Sequence, residues 1–336
     1  MKILIIKLGA IGDVIRTTAI LAGIKEKFHD SMIYWVTKRE SLDLLKNNGL
    51  IKEVITIGDA NELKNNSFDL IISLDDDHDA CKLASELSSK KIIGAYLENE
   101  KDVYTKNSSL WFGMGLISKF GKKRADELKA KNKKTYQEIM YKILGLKYKK
   151  QEPILILNRK YLGFGKNFAK KKGIDGKDFV IGINTGAGGR WQDKKLSVEE
   201  TAEFIDKLNS EINNAKLLLF GGPGEAERNK KIISLAKTKI IDAGCNNSLM
   251  EFASLVNLCN ILVTSDSLAL HIGTALKKRV VCFFYPTSSA EIELYQRGIK
   301  IIGKGSSYCS YQPKCDEPPK WDIDNMAKAV KKLSKS

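Results

Sequence analysis

Short apolar runs alternate with stretches of helical period along most of this chain. Residues 3–8, 33–37, 54–57, 70–74 and 92–96 form one series of runs; residues 179–184, 217–220, 261–266 and 280–285 form a second. The runs are rich in Ile, Leu and Val and are closed by glycine or polar residues, which predicts strands buried on both faces. A helical period fills residues 14–28, 41–47, 79–88, 136–146, the stretch from Ser197, and residues 268–275 and 323–333. Strand, helix, strand at this spacing predicts βαβ units, hence parallel strands joined by right-handed crossovers. The alternation lapses between residues 104 and 150. There an apolar, glycine-containing segment, Trp111-Phe112-Gly113-Met114-Gly115, precedes a Lys-dense stretch over residues 119–134.

Length turns this pattern into two domains. At 336 residues the chain exceeds one ordinary core. The division predicted is 1–160 and 161–321, with the basic helix over about 322–336 returning to pack on the first domain. No apolar run reaches the ~18 residues of a membrane span, and the apolar start of the chain reads as a first strand, not a signal peptide. Cys81, Cys245, Cys259, Cys282, Cys309 and Cys315 are scattered, and Cys259 and Cys282 lie in apolar contexts. A cytoplasmic location with reduced thiols is expected. The formal charge of +16 points to an anionic partner: nucleotide, phosphorylated glycan, membrane surface or nucleic acid.

Polar residues gather where predicted strands end, which is where open α/β sheets bind ligands. After residues 261–265 come Asp266, Ser267 and, one turn on, His271. Alone this pattern reads more readily as a helix N-cap followed by a buried histidine; read functionally, it holds an anion on first-turn N–H groups. After residues 3–8 come Gly9, Gly12 and Asp13, a tight turn with an acid at a helix start. After residues 179–184 comes Thr185-Gly186-Ala187-Gly188-Gly189-Arg190-Trp191-Gln192-Asp193-Lys194. Such a loop can wrap a diphosphate with backbone N–H groups and cations. Asp75-Asp76-Asp77-His78-Asp79 could hold a divalent metal through oxygens, but the preferred reading is an acidic, solvated helix start.

Four motifs in order carry a resemblance: G-x-x-G-D at residues 9–13, R-W-x-x-K at 190–194, G-G-P-x-E at 221–225, and D-S-x-x-x-H at 266–271 followed by a strand and P-T-S at 286–288. Together they resemble glycosyltransferase family 9, whose best-known members are the lipopolysaccharide core heptosyltransferases. The resemblance covers nearly the whole chain. It implies GT-B architecture: two Rossmann-like domains with parallel sheets facing a central cleft. It further implies inverting, metal-independent transfer of a heptose-like sugar. The donor would be an ADP-sugar and the acceptor a lipopolysaccharide core or another glycan or glycolipid. Asp13 would be the catalytic base, with Gly9 and Gly12 in the acceptor-side loop. Thr185, Arg190, Lys194, Glu225, Asn247, Asp266, Ser267 and His271 would bind the donor, Lys194 and Arg190 at the diphosphate and Glu225 at the ribose. Leu268 and Tyr285 stand where the family usually has glycine, and Leu196-Ser197 where it often has Trp-Pro. Cys309 and Cys315 are similar to part of a cysteine cluster in some relatives, but with only two local thiols no zinc site is expected.

No cofactor or metal is expected on this reading. Peripheral contact with an anionic membrane surface is expected of the basic stretch, although a solvated face explains those lysines as well. Transfer from another nucleotide sugar is the nearest alternative. A nucleotide-dependent oxidoreductase or epimerase would want a G-x-G-x-x-G turn, which neither half has. A basic, Rossmann-like nucleic-acid-binding protein would explain the charge, but it needs cations interleaved with aromatics, and residues 119–134 hold few. Nucleic acid is therefore not an expected partner.

Overall fold

The computed structural model describes residues 1–189 and 191–335. Two compact units emerge: residues 1–156 with 290–293, and residues 157–289 with 294–336.

The first unit is built on β1 (Lys2–Ile6), β2 (Met32–Thr37), β3 (Glu53–Thr56), β4 (Leu70–Ser73), β5 (Ile92–Glu98) and β6 (Lys101–Tyr104). They form one six-stranded sheet in the order β3-β2-β1-β4-β5-β6. Every pairing is parallel except β5–β6. The continuous apolar runs are explained by burial on both faces. Ile3 and Ile5 join Trp35, Ile72, Tyr136 and Met140 on one side, while Leu4 and Ile6 join Val36, Ile71, Ala80 and Leu83 on the other. The order reverses between β1 and β4, which opens a crevice at their C-terminal ends.

The second unit repeats the strand order, with a parallel last strand in place of the antiparallel one. β7 (Val180–Asn184), β8 (Lys216–Phe220), β9 (Ile241–Asp242), β10 (Ile261–Ser265), β11 (Arg279–Phe284) and β12 (Gly298–Ile302) lie in the order β9-β8-β7-β10-β11-β12. All are parallel. Here the reversal falls between β7 and β10. The parallel βαβ units predicted from the alternation are what the two sheets form, and the two Rossmann-like domains implied by the resemblance are present.

Two expectations need correction. The helix predicted over residues 14–28 is two helices, Ile11–Thr17 and Ile20–Lys27. The break follows from two hydroxyls that turn back on the ladder: Thr17 Oγ1 donates to the Asp13 carbonyl and Thr18 Oγ1 to the Ile15 carbonyl, each at 2.6 Å. Such back-bonding bends helices. The C-terminal helix, Ile323–Ser334, belongs to the second unit and not the first. Its stripe of Ile323, Met326, Ala327, Val330 and Leu333 shares a core with Phe204, Ile205 and Leu208. These three lie on the helix Val198–Glu211. Charge complements the fit: Lys331 pairs with Glu211 and Lys207 with Asp324, both at 2.7 Å.

Met326 is fully buried in that core. Met326→Ala is expected to cost about 2–5 kcal/mol. Hydrogen exchange should quicken across β10 and β11 and leave β1 and β4 unchanged. Equal acceleration in both sheets would show that the helix braces the first unit after all.

Candidate functional site

In the first unit the crevice is shaped by one carboxylate. Asp75, just past β4, accepts hydrogen bonds from the backbone N–H groups of Leu8 and Gly9, both at 2.8 Å, and from Lys7 Nζ at 3.1 Å. Asp75 and Lys7 are both buried. Burial alone would lower the Lys7 pKa, but Asp75 and Asp13 outweigh it and hold the ammonium above its ordinary value. The turn after β1 is therefore tied across the reversal point, with the Gly9 N–H spent on Asp75.

Beyond the turn, Gly12 is buried and Asp13 sits in the first turn of the helix Ile11–Thr17. The Asp13 carboxylate meets Arg16 Nε at 2.9 Å, and its side chain is 29% exposed. Arg16 is itself enclosed. Its guanidinium lies 3.9 Å from the Tyr136 ring centroid and 5.6 Å from that of Trp111, with Nη1 3.9 Å from a Glu291 oxygen. An aromatic box thus orients Arg16, and Arg16 orients Asp13.

The acidic cluster is not uniformly a solvated helix start. Asp77 does cap the helix His78–Glu86 and pairs with Lys38 at 3.1 Å, and His78 pairs with Asp102 at 3.0 Å. Asp75, however, is buried and structural. Burial and the neighbouring Asp75 push the Asp76 carboxyl up, and Asp76 accepts a hydrogen bond from Leu116 N at 3.4 Å. Among the described residues no group of three or more His, Cys, Asp or Glu side chains is placed to hold a metal ion. Cys315 lies buried, with its backbone N–H on Asp193 at 2.6 Å.

In the second unit the reversal point is crossed by an ion pair. Lys194 follows the glycine-rich loop after β7, and Asp266 follows β10. Lys194 Nζ lies 2.8 Å from Asp266 Oδ2 and also donates to the Asp266 carbonyl at 3.0 Å. Thr287, past β11, donates its hydroxyl to the same Oδ2 at 2.8 Å. Burial opposes charge on Asp266, yet Lys194, His271 and Thr287 outweigh it and hold the carboxyl at about 2. The Trp191 ring lies 5.0 Å from Lys194 Nζ. Asn184, at the end of β7, donates to Thr264 Oγ1 at 3.1 Å and to Ser267 Oγ at 3.4 Å.

Neither Asp266 nor Ser267 caps the helix Leu268–Ala275, contrary to the cap reading. Ser267 occupies the N-cap position without a side-chain bond to the first turn, and its hydroxyl is shared with Thr264 at 3.0 Å. The Leu270 N–H donates to the Ser267 carbonyl at 3.1 Å, and the N–H groups of Leu268 and Ala269 face no side-chain cap. Glu225 is buried, bonded to Lys195 Nζ at 2.7 Å and to the Gly222 N–H at 3.1 Å. Two expected donor residues act as internal braces here. Thr185 Oγ1 donates to the Phe220 carbonyl and to Asn229 Oδ1; Asn247 Nδ2 donates to the carbonyls of Ala243 and Gly244. His271 is half-buried, one turn into the helix. Arg190 lies outside the described residues. Tyr285 is fully buried, and its hydroxyl donates to the Glu317 carbonyl at 3.1 Å. Beside that hydroxyl Gly305 has φ +152°, and a Cβ there would meet the Tyr285 oxygen at 2.1 Å.

Sequence reasoning missed Arg16, Asn184 and Thr287, and read Asp75 only as one of an acidic cluster, not as the anchor of the turn after β1. Thr287 lies within the quoted P-T-S motif, so its signal was present. Asp75 meets its partners 66–68 residues away, and no local pattern announces that.

The model of glycosyltransferase family 9 (heptosyltransferase) matches residues 60–320. Comparison with curated proteins returns no match. Among solved structures, the family 9 glycosyl transferase from Veillonella parvula DSM 2008 superposes with a TM-score of 0.80 at 19% identity, covering 100% of this chain and 98% of that one. E. coli ADP-heptose lps heptosyltransferase II gives 0.67 at 16% identity, covering 100% of both chains. E. coli heptosyltransferase WaaC with ADP gives 0.64 at 16% identity, covering 100% of this chain and 99% of that one. At these identities the likeness carries the fold.

The ion pair makes acid stability a direct test. A carboxyl held at about 2 when folded and near ~3.9 when unfolded stabilises the fold above pH ~4. That contribution, about 2 kcal/mol, is lost as pH falls from ~4 to ~2. Asp266→Asn should destabilise at neutral pH by roughly 3–5 kcal/mol, because Lys194 is left buried and unpaired. It should also flatten the acid slope in that window, and adding Lys194→Met should restore part of the loss. An unchanged acid slope in Asp266→Asn would assign the acid sensitivity elsewhere.

Proposed function

The chain belongs to glycosyltransferase family 9, and from that premise we propose that it moves a heptose-like sugar from an ADP-sugar to an anionic glycan or glycolipid acceptor, a lipopolysaccharide core being the reference case, with inversion and without a divalent metal. The observation that carries the donor half is the Lys194–Asp266–Thr287 cluster at the reversal point of the second sheet. Two of the three N–H donors of the Lys194 ammonium go to Asp266. The third can meet a phosphate oxygen. Lys194 is thereby a directional donor held in place, not a loose charge. The uncapped first turn of the helix Leu268–Ala275 adds aligned N–H groups for the developing negative charge.

Asp13 supplies the acceptor half. A carboxylate oriented by Arg16 at 2.9 Å takes the proton of the acceptor hydroxyl as that oxygen attacks the anomeric carbon and the diphosphate departs from the opposite face. Family membership and the placement of both groups at strand ends support this assignment.

Asp13→Asn should retain ADP binding, read as an unchanged thermal shift, while transfer from ADP-heptose falls by at least ~10²-fold. Near-normal turnover in that variant would remove Asp13 from the role of base.

Transfer should also persist in excess EDTA. Loss on chelation with recovery on Mg²⁺, mimicked by Asp76→Asn/Asp77→Asn, would move the charge-neutralising role to a metal at the acidic cluster.

A further inference from the structure

We propose that residues 113–134 dock the protein on an anionic bilayer surface, with Leu116 and Phe120 entering between the headgroups and the adjoining cations holding the lipid phosphates. The inference rests on the glycolipid part of the functional reading and not on the donor chemistry.

The apolar half of the surface is small and deliberately presented. Leu116 is 92% exposed and Phe120 53% exposed; no other large hydrophobic among the described residues exceeds Phe120 except Leu116. Singly scattered apolar residues need no explanation, but these two stand four residues apart on one loop. The loop is held at several points. Asp76 accepts the Leu116 N–H, Tyr104 Oη accepts the Lys119 N–H at 3.2 Å, and Ser118 Oγ donates to the Gly113 carbonyl at 2.8 Å. Leu116 is thus exposed by a built turn.

The charged half follows at once. Gly121, with φ +74°, turns the chain into the helix Lys122–Lys131, where a side chain in that conformation would be strained. Residues 119–134 carry eight Lys and Arg against two acids. Lys122, Lys123, Arg124, Lys131 and Lys133 are exposed, and Ala125 is the one buried residue of the helix. A helix so polar gains little by folding against its own unit. An apolar tip beside a cationic face is the arrangement that binds the interfacial zone of an anionic bilayer. A soluble phosphorylated glycan offers nothing for Leu116 and Phe120. A single-stranded nucleic acid would want aromatics among the cations, and residues 121–134 contain none.

The position suits a lipid-borne acceptor. The loop leaves the helical turn Ser109–Phe112, whose Trp111 packs edge-on against Tyr136 at 5.0 Å and beside Arg16. The docking loop and the Asp13–Arg16 pair are therefore parts of one packed region of the first unit.

The test is flotation of the full chain with phosphatidylglycerol–phosphatidylcholine vesicles and with pure phosphatidylcholine, at about 0.15 M salt. Binding is expected only to the anionic vesicles. Each basic residue at the surface strengthens binding roughly fivefold, so Lys122→Gln/Lys123→Gln/Arg124→Gln should weaken it on the order of 100-fold. Leu116→Ser/Phe120→Ser should weaken it at least tenfold, and both side chains are exposed enough for the fold to survive. Undiminished binding by the Leu116/Phe120 variant overturns the proposal, as does equal binding to the two vesicle types. So does tighter binding of a short RNA that depends on the lysines alone. ADP thermal shifts on the same variants should match the parent protein. Their absence in every variant, parent included, would count against the donor reading and leave the vesicle result standing.

Discussion

At the reversal point of each sheet, a carboxylate from one strand end, buried at Asp75 and part-buried at Asp266, closes onto the loop that follows its neighbour. Asp75, after β4, holds Lys7, Leu8 and Gly9 after β1. Asp266, after β10, holds Lys194 after β7. The two units share a strand order, so these carboxylates occupy corresponding places. The constraint is electrostatic. A carboxylate withdrawn from water needs donors, and the loop across the reversal point supplies most of them, with the Thr287 hydroxyl added at Asp266. Each crevice is shaped by that requirement before any substrate arrives. Buried pairs of this kind add little net stability compared with apolar packing. What they fix is geometry, here the path of the backbone that leads to Asp13 and the direction of the Lys194 ammonium.

That constraint also marks how much was legible in the sequence. Strand positions were readable because burial on both faces leaves a continuous run of Ile, Leu and Val, and the crevices were readable because strand ends collect glycine and charge. The direction of individual side chains was not. Among Asp75, Asp76, Asp77 and Asp79 nothing local says which one turns inward; the answer depends on the N–H groups of Leu8 and Gly9, reached through the sheet. Thr185 and Asn247 lie in the right loops, yet their polar atoms are consumed by Phe220, Asn229, Ala243 and Gly244. The apolar stripe of the last helix was plain, but a stripe does not name its partner. Acids on both sides of the contact, Glu211 and Asp324, complement its neighbours' lysines.

On the proposed reaction, the division of labour would follow from how each cation is held. Arg16 faces a carboxylate and two aromatic rings, a setting that fixes a planar guanidinium better than it would a lysine. It can hold Asp13 in one direction. Lys194 spends two donors on a neighbour it cannot leave cheaply, because parting would strand Asp266 in a buried place. On the proposed reaction a departing diphosphate would meet a preset donor, leaving little reorganisation for the reaction step.

The net charge of +16 cannot be explained by the donor crevice. There Lys194 is matched by Asp266 and Lys195 by Glu225, so these two pairs add nothing to the total. The first-unit crevice is matched likewise, Lys7 by Asp75 and Arg16 by Asp13. The surplus lies outside both, and residues 119–134 alone hold eight cations against two acids. Matched cations inside the crevices are suited to positioning, since a neutralised pair attracts nothing from a distance. Exposed cations in excess of their neighbouring acids are suited to capture, since their field extends roughly a Debye length, about 8 Å at physiological salt. The same charge thus serves two ends, separated by whether the cation is enclosed beside a carboxylate, as Lys194 is, or exposed in excess of acids, as over residues 119–134.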